Sequence, residues 1–231
     1  NNKYELITNR IITYKFDYVL YDDKENEEKW KIMFPNCKIL HFIKPVSANV
    51  LCYNSERIYD YIYVATENQV TKNRHLFIDF IKYCEKKKIR VNIVNVGKLD
   101  QKLKLKYVNL MSYDKTTYDH IIELFNKSKI NLLFSGRDAL PRVLSESIAC
   151  GCYNIALDTI SDGKYLYNNI YGTILSFPNL KKEYNETSKS ISYISHESIY
   201  EEILKYKNQT FDHCKISLSY LKSQKYELNL D

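Results

Sequence analysis

Residues 131–158, NLLFSGRDALPRVLSESIACGCYNIALD, decide the fold. They open and close on apolar runs of strand length, and between these lie a tight polar loop and a short helical segment. Pro141 stands where a first helical residue belongs, because its missing N–H and fixed φ cost nothing there. Gly151 stands where the helix stops, as the left-handed residue just past its end. A helix start presented at the carboxyl end of a strand is a ready anion site. Two carboxylates stand beside it, Asp138 in the loop and Glu146 in the helix, with seven residues between them. The stretch therefore reads as the seat of a phosphorylated ligand.

The same rhythm extends upstream. Strands are expected at 61–65, 90–96, 107–111, 129–134, 152–157 and 172–175, and helices at 73–87, 117–127 and 141–150, with a short one at 162–168. The helix at 73–87 places Leu76, Phe77, Phe80, Ile81 and Cys84 on one face. Near-continuous apolar strands alternating with helices argue for an α/β, Rossmann-like parallel sheet with helices on both faces. Before it, 16–21 and 37–43 read as strands flanking an acidic helical stretch, and 45–56 as an irregular connector. After Pro178 the chain turns polar and then ends in helical stretches at 198–206 and 212–221. Three regions follow: 1–56, a remnant of another domain with its linker; 57–178, the Rossmann-like domain; and 179–231, a helical extension.

The totals exclude several classes. The chain has 231 residues and a formal charge of +6, with Lys interleaved among Glu and Asp, so solvated faces explain the charge better than a nucleic-acid surface. No apolar run is long enough to span a membrane. The six cysteines follow no paired metal spacing and mostly sit in apolar runs, which reads as buried, reduced thiols and a cytoplasmic setting. The first residues lack an initiator Met and a signal pattern, as in a piece of a longer polypeptide with further domains.

Ligands of open parallel sheets bind beyond the carboxyl ends of the strands. Three such ends carry polar loops, at 65–74, 97–102 and 135–141. The first brings Lys72 and Arg74 to the start of a helix. These cations either face a diphosphate held against the Pro141 helix or are solvated residues of a helix start. A carboxylate such as Glu146 can accept from both hydroxyls of a ribose diol, with Asp138 nearer the group beyond the phosphates. The other reading has Asp138 capping the helix and Glu146 facing water.

The run from Ser135 through Asp138, Pro141, Arg142 and Glu146 to Gly151 resembles the donor-site signature of GT-B glycosyltransferases, closest to glycosyltransferase family 4. That pattern is an acid, seven residues, a Glu, then a small-residue helix closing on Gly. The resemblance implies that Asp138 contacts the donor sugar at the catalytic position and Glu146 the nucleotide ribose. It implies that backbone N–H groups of Ala139 and Leu140 meet sugar and phosphates, with Arg137, Pro141 and Arg142 in the same donor-binding set. Tyr63, Val64, Ala65 and Thr66 followed by Lys72 resemble the first strand of the donor domain and its diphosphate-neutralising Lys. Asp138 replaces the family's first Glu, and Thr66 replaces an Arg for which Arg74 or Arg137 compensates. None of His41, His75, His120, His196 and His213 matches the family's acceptor-domain His, so no catalytic base is assigned.

With no Asp-x-Asp in the chain, no metal and no separate cofactor are expected, and Lys72 with the helix end meets the charge of the leaving diphosphate. The expectation is transfer, with retention, of a sugar from a nucleotide sugar to a glycan, lipid or protein acceptor. The base is expected near 109–112. A non-catalytic nucleotide-binding or scaffolding module is the alternative. A flavodoxin-like regulatory domain lacks its acidic cluster at Tyr63, Val64, Ala65 and Thr66.

Overall fold

The structure, a computed structural model, describes residues 16–22, 26–42, 45–47, 50–53, 55–65, 70–99, 101–138, 141–160 and 163–227. The chain divides into two compact units, Asn1–Lys44 and Pro45–Asp231. In the first, strands β1 (Tyr18–Tyr21) and β2 (Lys38–His41) pair in parallel, and helix α1 (Glu27–Met33) supplies the crossover that parallel pairing requires.

The second unit is built on six parallel strands: β3 (Tyr59–Val64), β4 (Val91–Val96), β5 (Val108–Tyr113), β6 (Ser128–Leu133), β7 (Tyr153–Leu157) and β8 (Gly172–Leu175). Their order across the sheet is β5-β4-β3-β6-β7-β8. The chain steps outward from β3 to β5, then returns to the other side of β3 and steps outward again. Helices α2 (Arg74–Lys86), α3 (Tyr118–Asn126) and α4 (Arg142–Ala149) make the crossovers. All five apolar positions expected on one face of α2 are buried, and Phe77 stacks on Tyr63 with centroids 4.3 Å apart. Each such buried aromatic contributes about 2–3 kcal/mol relative to an exposed one.

A buried polar network fixes α4 against the sheet. Asn131 on β6 donates to Asn154 on β7 at 2.8 Å, and Ser147 of α4 donates to the same Asn154 oxygen at 2.7 Å. Gly151 ends α4 as expected, with φ +82°. Its N–H meets the Ile148 carbonyl and the next N–H, of Cys152, meets that of Ser147, both at 2.8 Å, the two bonds of a Schellman cap. Pro141 is the N-cap rather than the first helical residue. Its extended ψ of 120° keeps it outside the helix, while its carbonyl accepts from Leu144 at 2.9 Å.

The base of the sheet is closed by Arg57. Its guanidinium donates to Phe125, Ser128 and Cys150 carbonyls at 2.7, 2.9 and 2.7 Å, so it serves the ends of α3 and α4 together. Asn126 accepts from the Tyr53 N–H and donates to the Leu51 carbonyl, which fastens the connector to the second unit rather than to the N-terminal segment it was read with. Three cysteines are buried (Cys84, Cys150, Cys152), Cys37 and Cys52 are half-buried, and Cys214 is exposed, fewer inside than their apolar surroundings suggest; all six are free.

Beyond β8 the sequence reading held only polar chain and helices. The helices are present as α5 (Glu197–Leu204) and α6 (His213–Glu227), and a single 3-10 turn, Lys164–Leu166, stands where a short helix was expected. The polar chain is a β-hairpin, β9 (Lys182–Asn185) paired antiparallel with β10 (Ser190–Tyr193). Every residue of β9 is exposed, so no apolar alternation announces it. No helix among the described residues is long and apolar enough to cross a membrane.

Candidate functional site

In the order β5-β4-β3-β6-β7-β8 the chain reverses direction across the sheet between β3 and β6, and the crevice outside such a switch point is where open α/β sheets bind ligands. The loops after β3 and β6 face each other there. The Gly136 N–H donates to the Thr71 carbonyl at 2.8 Å, Asn73 donates through its side chain to the Phe134 carbonyl at 2.8 Å, and the Tyr63 hydroxyl donates to the Lys72 carbonyl at 2.9 Å. Asn73 takes a left-handed conformation, φ 49°, which its short amide tolerates better than most side chains. That turn starts α2 and leaves Lys72 pointing across the crevice.

Lys72 forms an ion pair with Asp138, joining the two residues that the sequence reading placed on opposite walls. Their side chains are only 13% and 23% exposed, so water screens the contact weakly. The N-cap of α4 is Pro141, whose side chain makes no capping hydrogen bond. Arg74 sits elsewhere: its guanidinium donates to the Lys98 carbonyl and, at 3.3 Å, to that of Ala65, tying together the ends of β3 and β4. Arg137 is exposed and reaches the Ser188 carbonyl at 3.5 Å. Arg142 is exposed on the first turn of α4. Thr66, Ala139 and Leu140 lie outside the described residues.

Glu146 lies one turn into α4, half-buried, and accepts from the Tyr118 hydroxyl at 3.1 Å. Burial raises its pKa above the ordinary value, and the Tyr118 hydrogen bond and the charge of Arg142 only partly offset this. Tyr118 is in turn pushed up to about 12, by burial first and then by Glu146. The expected base position, 109–112, spans nearly the whole of β5. Asn109 belongs to the opposite end of the sheet, where it donates to Asn92 at 3.2 Å, and only Ser112, bonded by Asn95 at 2.8 Å, stands toward the crevice.

Just past the carboxyl ends of β6 and β7 the buried hydroxyls of Ser135 and Thr159 have no hydrogen-bond partner among the described residues, and the buried Ser145 and Tyr200 hydroxyls have none either. The hairpin adds a further wall. A Cβ on Gly136 would stand 2.0 Å from the Ile191 carbonyl oxygen, so only glycine permits β10 to lie this close. Asp158, at the end of β7, anchors the hairpin by accepting from Lys182 at 3.0 Å and Tyr193 at 2.6 Å. Tyr118 and the hairpin were missed because nothing in their spacing ties them to Asp138 or Glu146. Among the described residues no group of three or more His, Cys, Asp or Glu is arranged to hold a metal ion.

No protein-family model matches the chain, and no curated protein matches its sequence. Solved structures match its fold. The GtfA/B complex superposes over 99% of this chain at a TM-score of 0.66 with 12% identity, and TarM over 100% at 0.62 with 14% identity. The C-terminal domain of a glycosyl transferase group 1 family protein, LpcC from Francisella tularensis, is covered in full by 80% of this chain, with a TM-score of 0.52 and 13% identity. The chain spans 45% of the GtfA/B chain and 43% of TarM, less than half of either. The fold is thus the Rossmann-like half of a GT-B protein, as the sequence signature implied.

Proposed function

We propose that this chain, with the fold of a GT-B half, binds a nucleotide sugar at the β3/β6 switch point and serves a glycosyltransferase. The reaction is transfer of the sugar to a glycan, lipid or protein acceptor, with retention and without a metal. Lys72 receives the diphosphate opposite the start of α4, with the backbone of Ala139 and Leu140 and the side chains of Arg137 and Arg142 at its edge. Glu146 takes the ribose diol, and Asp138 the donor sugar. Further domains of the same polypeptide supply the acceptor site.

The carrying observation is that Lys72 and Asp138, far apart in sequence, meet across the switch point, with Glu146 one turn into the adjoining helix. The Tyr118 hydroxyl presets one oxygen of Glu146 and leaves the other for a diol. A binding module without turnover is favoured by one observation: Arg74 is engaged by two carbonyls, which leaves Lys72 as the cation placed inside the crevice.

Thermal shift with UDP, GDP, dTDP and their sugars tests the site, and one nucleotide should stabilise the protein. Silence toward all of them at millimolar concentration would refute the donor site. Turnover is tested on the full polypeptide: Glu146→Ala should lose release of nucleoside diphosphate by at least about tenfold, the effect of about 1.4 kcal/mol. Normal release from that variant would remove Glu146 from the ribose role.

A further inference from the structure

We propose that the cavity at the base of the six-stranded sheet binds an anion built of several linked phosphate groups, held by Arg90, Lys106 and Lys207. This goes beyond the donor-site reading and does not depend on it. The cavity lies where β4 and β5 begin, and the crevice lies where β3 and β6 end.

The cavity has a volume of about 510 Å³, within the range of small-molecule sites. Its cations come from three separate segments. Arg90 leads into β4, Lys106 leads into β5, and Lys207 follows α5. Each segment is fixed by its own main chain. The Ile89 N–H donates to the Cys84 carbonyl at 2.9 Å, and the Lys207 N–H to that of Leu204 at 3.1 Å. Glu85 of α2 accepts from the N–H groups of Lys106, Tyr107 and Val108 at 2.8, 2.9 and 3.1 Å. The three cations are therefore presented by backbone that is already ordered.

The buried polar groups of this end are complete, and what is left over is positive charge. The one carboxylate of the lining, Asp60, accepts from Lys129 at 2.9 Å and from the Asn92 N–H at 3.0 Å. Glu85 is spent on its three N–H groups. Among the described residues none of Arg90, Lys106 and Lys207 forms an ion pair, and the Lys106 ammonium lies only over the ring of Tyr107, 5.6 Å from its centroid. Elsewhere lysines find carboxylates: Lys86, Lys127, Lys129 and Lys182 each stand within 2.9 Å of one. A concave wall of one sign concentrates its field on whatever enters. Two amides add donors. Asn92 gives one N–H to the Ile58 carbonyl at 3.1 Å, Asn109 gives one to the Asn92 oxygen at 3.2 Å, and each keeps its second.

A guanidinium fork and two ammonium groups suit phosphate oxygens. Cations on three walls call for charge spread over linked groups rather than gathered on one. A soluble polyphosphate and a phosphorylated lipid headgroup both offer that chemistry.

The test is calorimetric titration of the whole chain with tripolyphosphate, orthophosphate and citrate. All proteins carry Lys72→Met, so that the donor crevice does not contribute. Tripolyphosphate should bind at least about tenfold more tightly than either of the others. Arg90→Gln with Lys207→Gln should weaken it by about tenfold or more. Lys102→Gln with Lys104→Gln removes the same charge from exposed positions outside the cavity and should change it by less than about twofold. Equal losses in the two pairs would mean a diffuse attraction and overturn the site, as would citrate binding as tightly as tripolyphosphate. Cosedimentation with phosphatidylcholine vesicles containing phosphatidylinositol phosphate, lost in the Arg90 and Lys207 pair, assigns the lipid headgroup; tripolyphosphate binding without cosedimentation assigns the soluble anion. Silence of the wild type toward nucleotides would overturn the donor site alone, so the two failures are distinguishable.

Discussion

The two ends of the six-stranded sheet are built on opposite principles. At the base, where the strands begin, polar groups are paired. Arg57 serves three carbonyls, and Asp60 accepts from Lys129 at 2.9 Å and from the Asn92 N–H at 3.0 Å. At the carboxyl ends the buried hydroxyls of Ser135 and Thr159 are unpaired among the described residues, and Lys72 and Asp138 form an ion pair from separate loops. A cavity of about 510 Å³ lies at the base, lined by Asp60, Arg90, Asn92, Lys106, Asn109 and Lys207 among others. Arg90, Asn92, Lys106 and Asn109 are exposed and the carboxylate is already satisfied, so the crevice at the other end is the better site for the nucleotide sugar. A fold invests in stability where its groups are complete and in recognition where they are not.

Arg57→Ala should produce the largest effect. Three buried carbonyls lose a charged donor, and roughly 3–5 kcal/mol of unfolding free energy should go, measured by urea denaturation. Nucleotide affinity of the folded fraction should stay within twofold of wild type. A loss of under about 1 kcal/mol would break the contrast, because the base would then not be a stability clamp.

Asp158→Asn sharpens the contrast at the rim, where a structural carboxylate anchors the hairpin beside the crevice. Burial alone would raise the Asp158 pKa, but hydrogen bonds from Ser176, Tyr193 and Lys182 outweigh it and the pKa is lowered. A carboxyl that holds its proton less tightly folded than unfolded contributes stability above its ordinary value of 3.8, and loses it as pH falls through the folded value. The variant should therefore cost about 1–2 kcal/mol near neutrality. Its gap from wild type should close as pH drops below 3.8 in an acid-denaturation series. A gap independent of pH would mean that the anchor does not depend on charge.

Tyr118→Phe should have the smallest effect. It removes one donor from Glu146, so the Glu146 pKa should rise further, with a stability change of about 0.5–1 kcal/mol. NMR titration of the Glu146 carboxyl would register the rise, and an unchanged value would remove Tyr118 from the support of this acid.

Much of this was legible in the chain itself. The strands β4, β6 and β7 are apolar because both faces of a parallel sheet are covered, and that composition marks them without knowledge of their neighbours. Gly151 could be placed because a left-handed residue past a helix end is a local requirement. The hairpin was not legible, since its first strand buries nothing and its hold on Asp158 and Gly136 is entirely non-local. Asn109 and Ser112 stand on one strand, and only the direction of β5 in the sheet tells which of them is near the crevice.

The sequence by itself determined the element types, the cap at Gly151, and the spacing that sets Glu146 one turn into its helix. These depend on residues within a few positions of each other, where propensity and periodicity act. The tertiary structure decided which loops share the switch point, that Lys72 meets Asp138 while Arg74 is held by carbonyls, and that the hairpin closes against Gly136. Those outcomes follow from strand order and burial, and a charge or a hydroxyl acquires its partner only when chain segments distant in sequence are packed together.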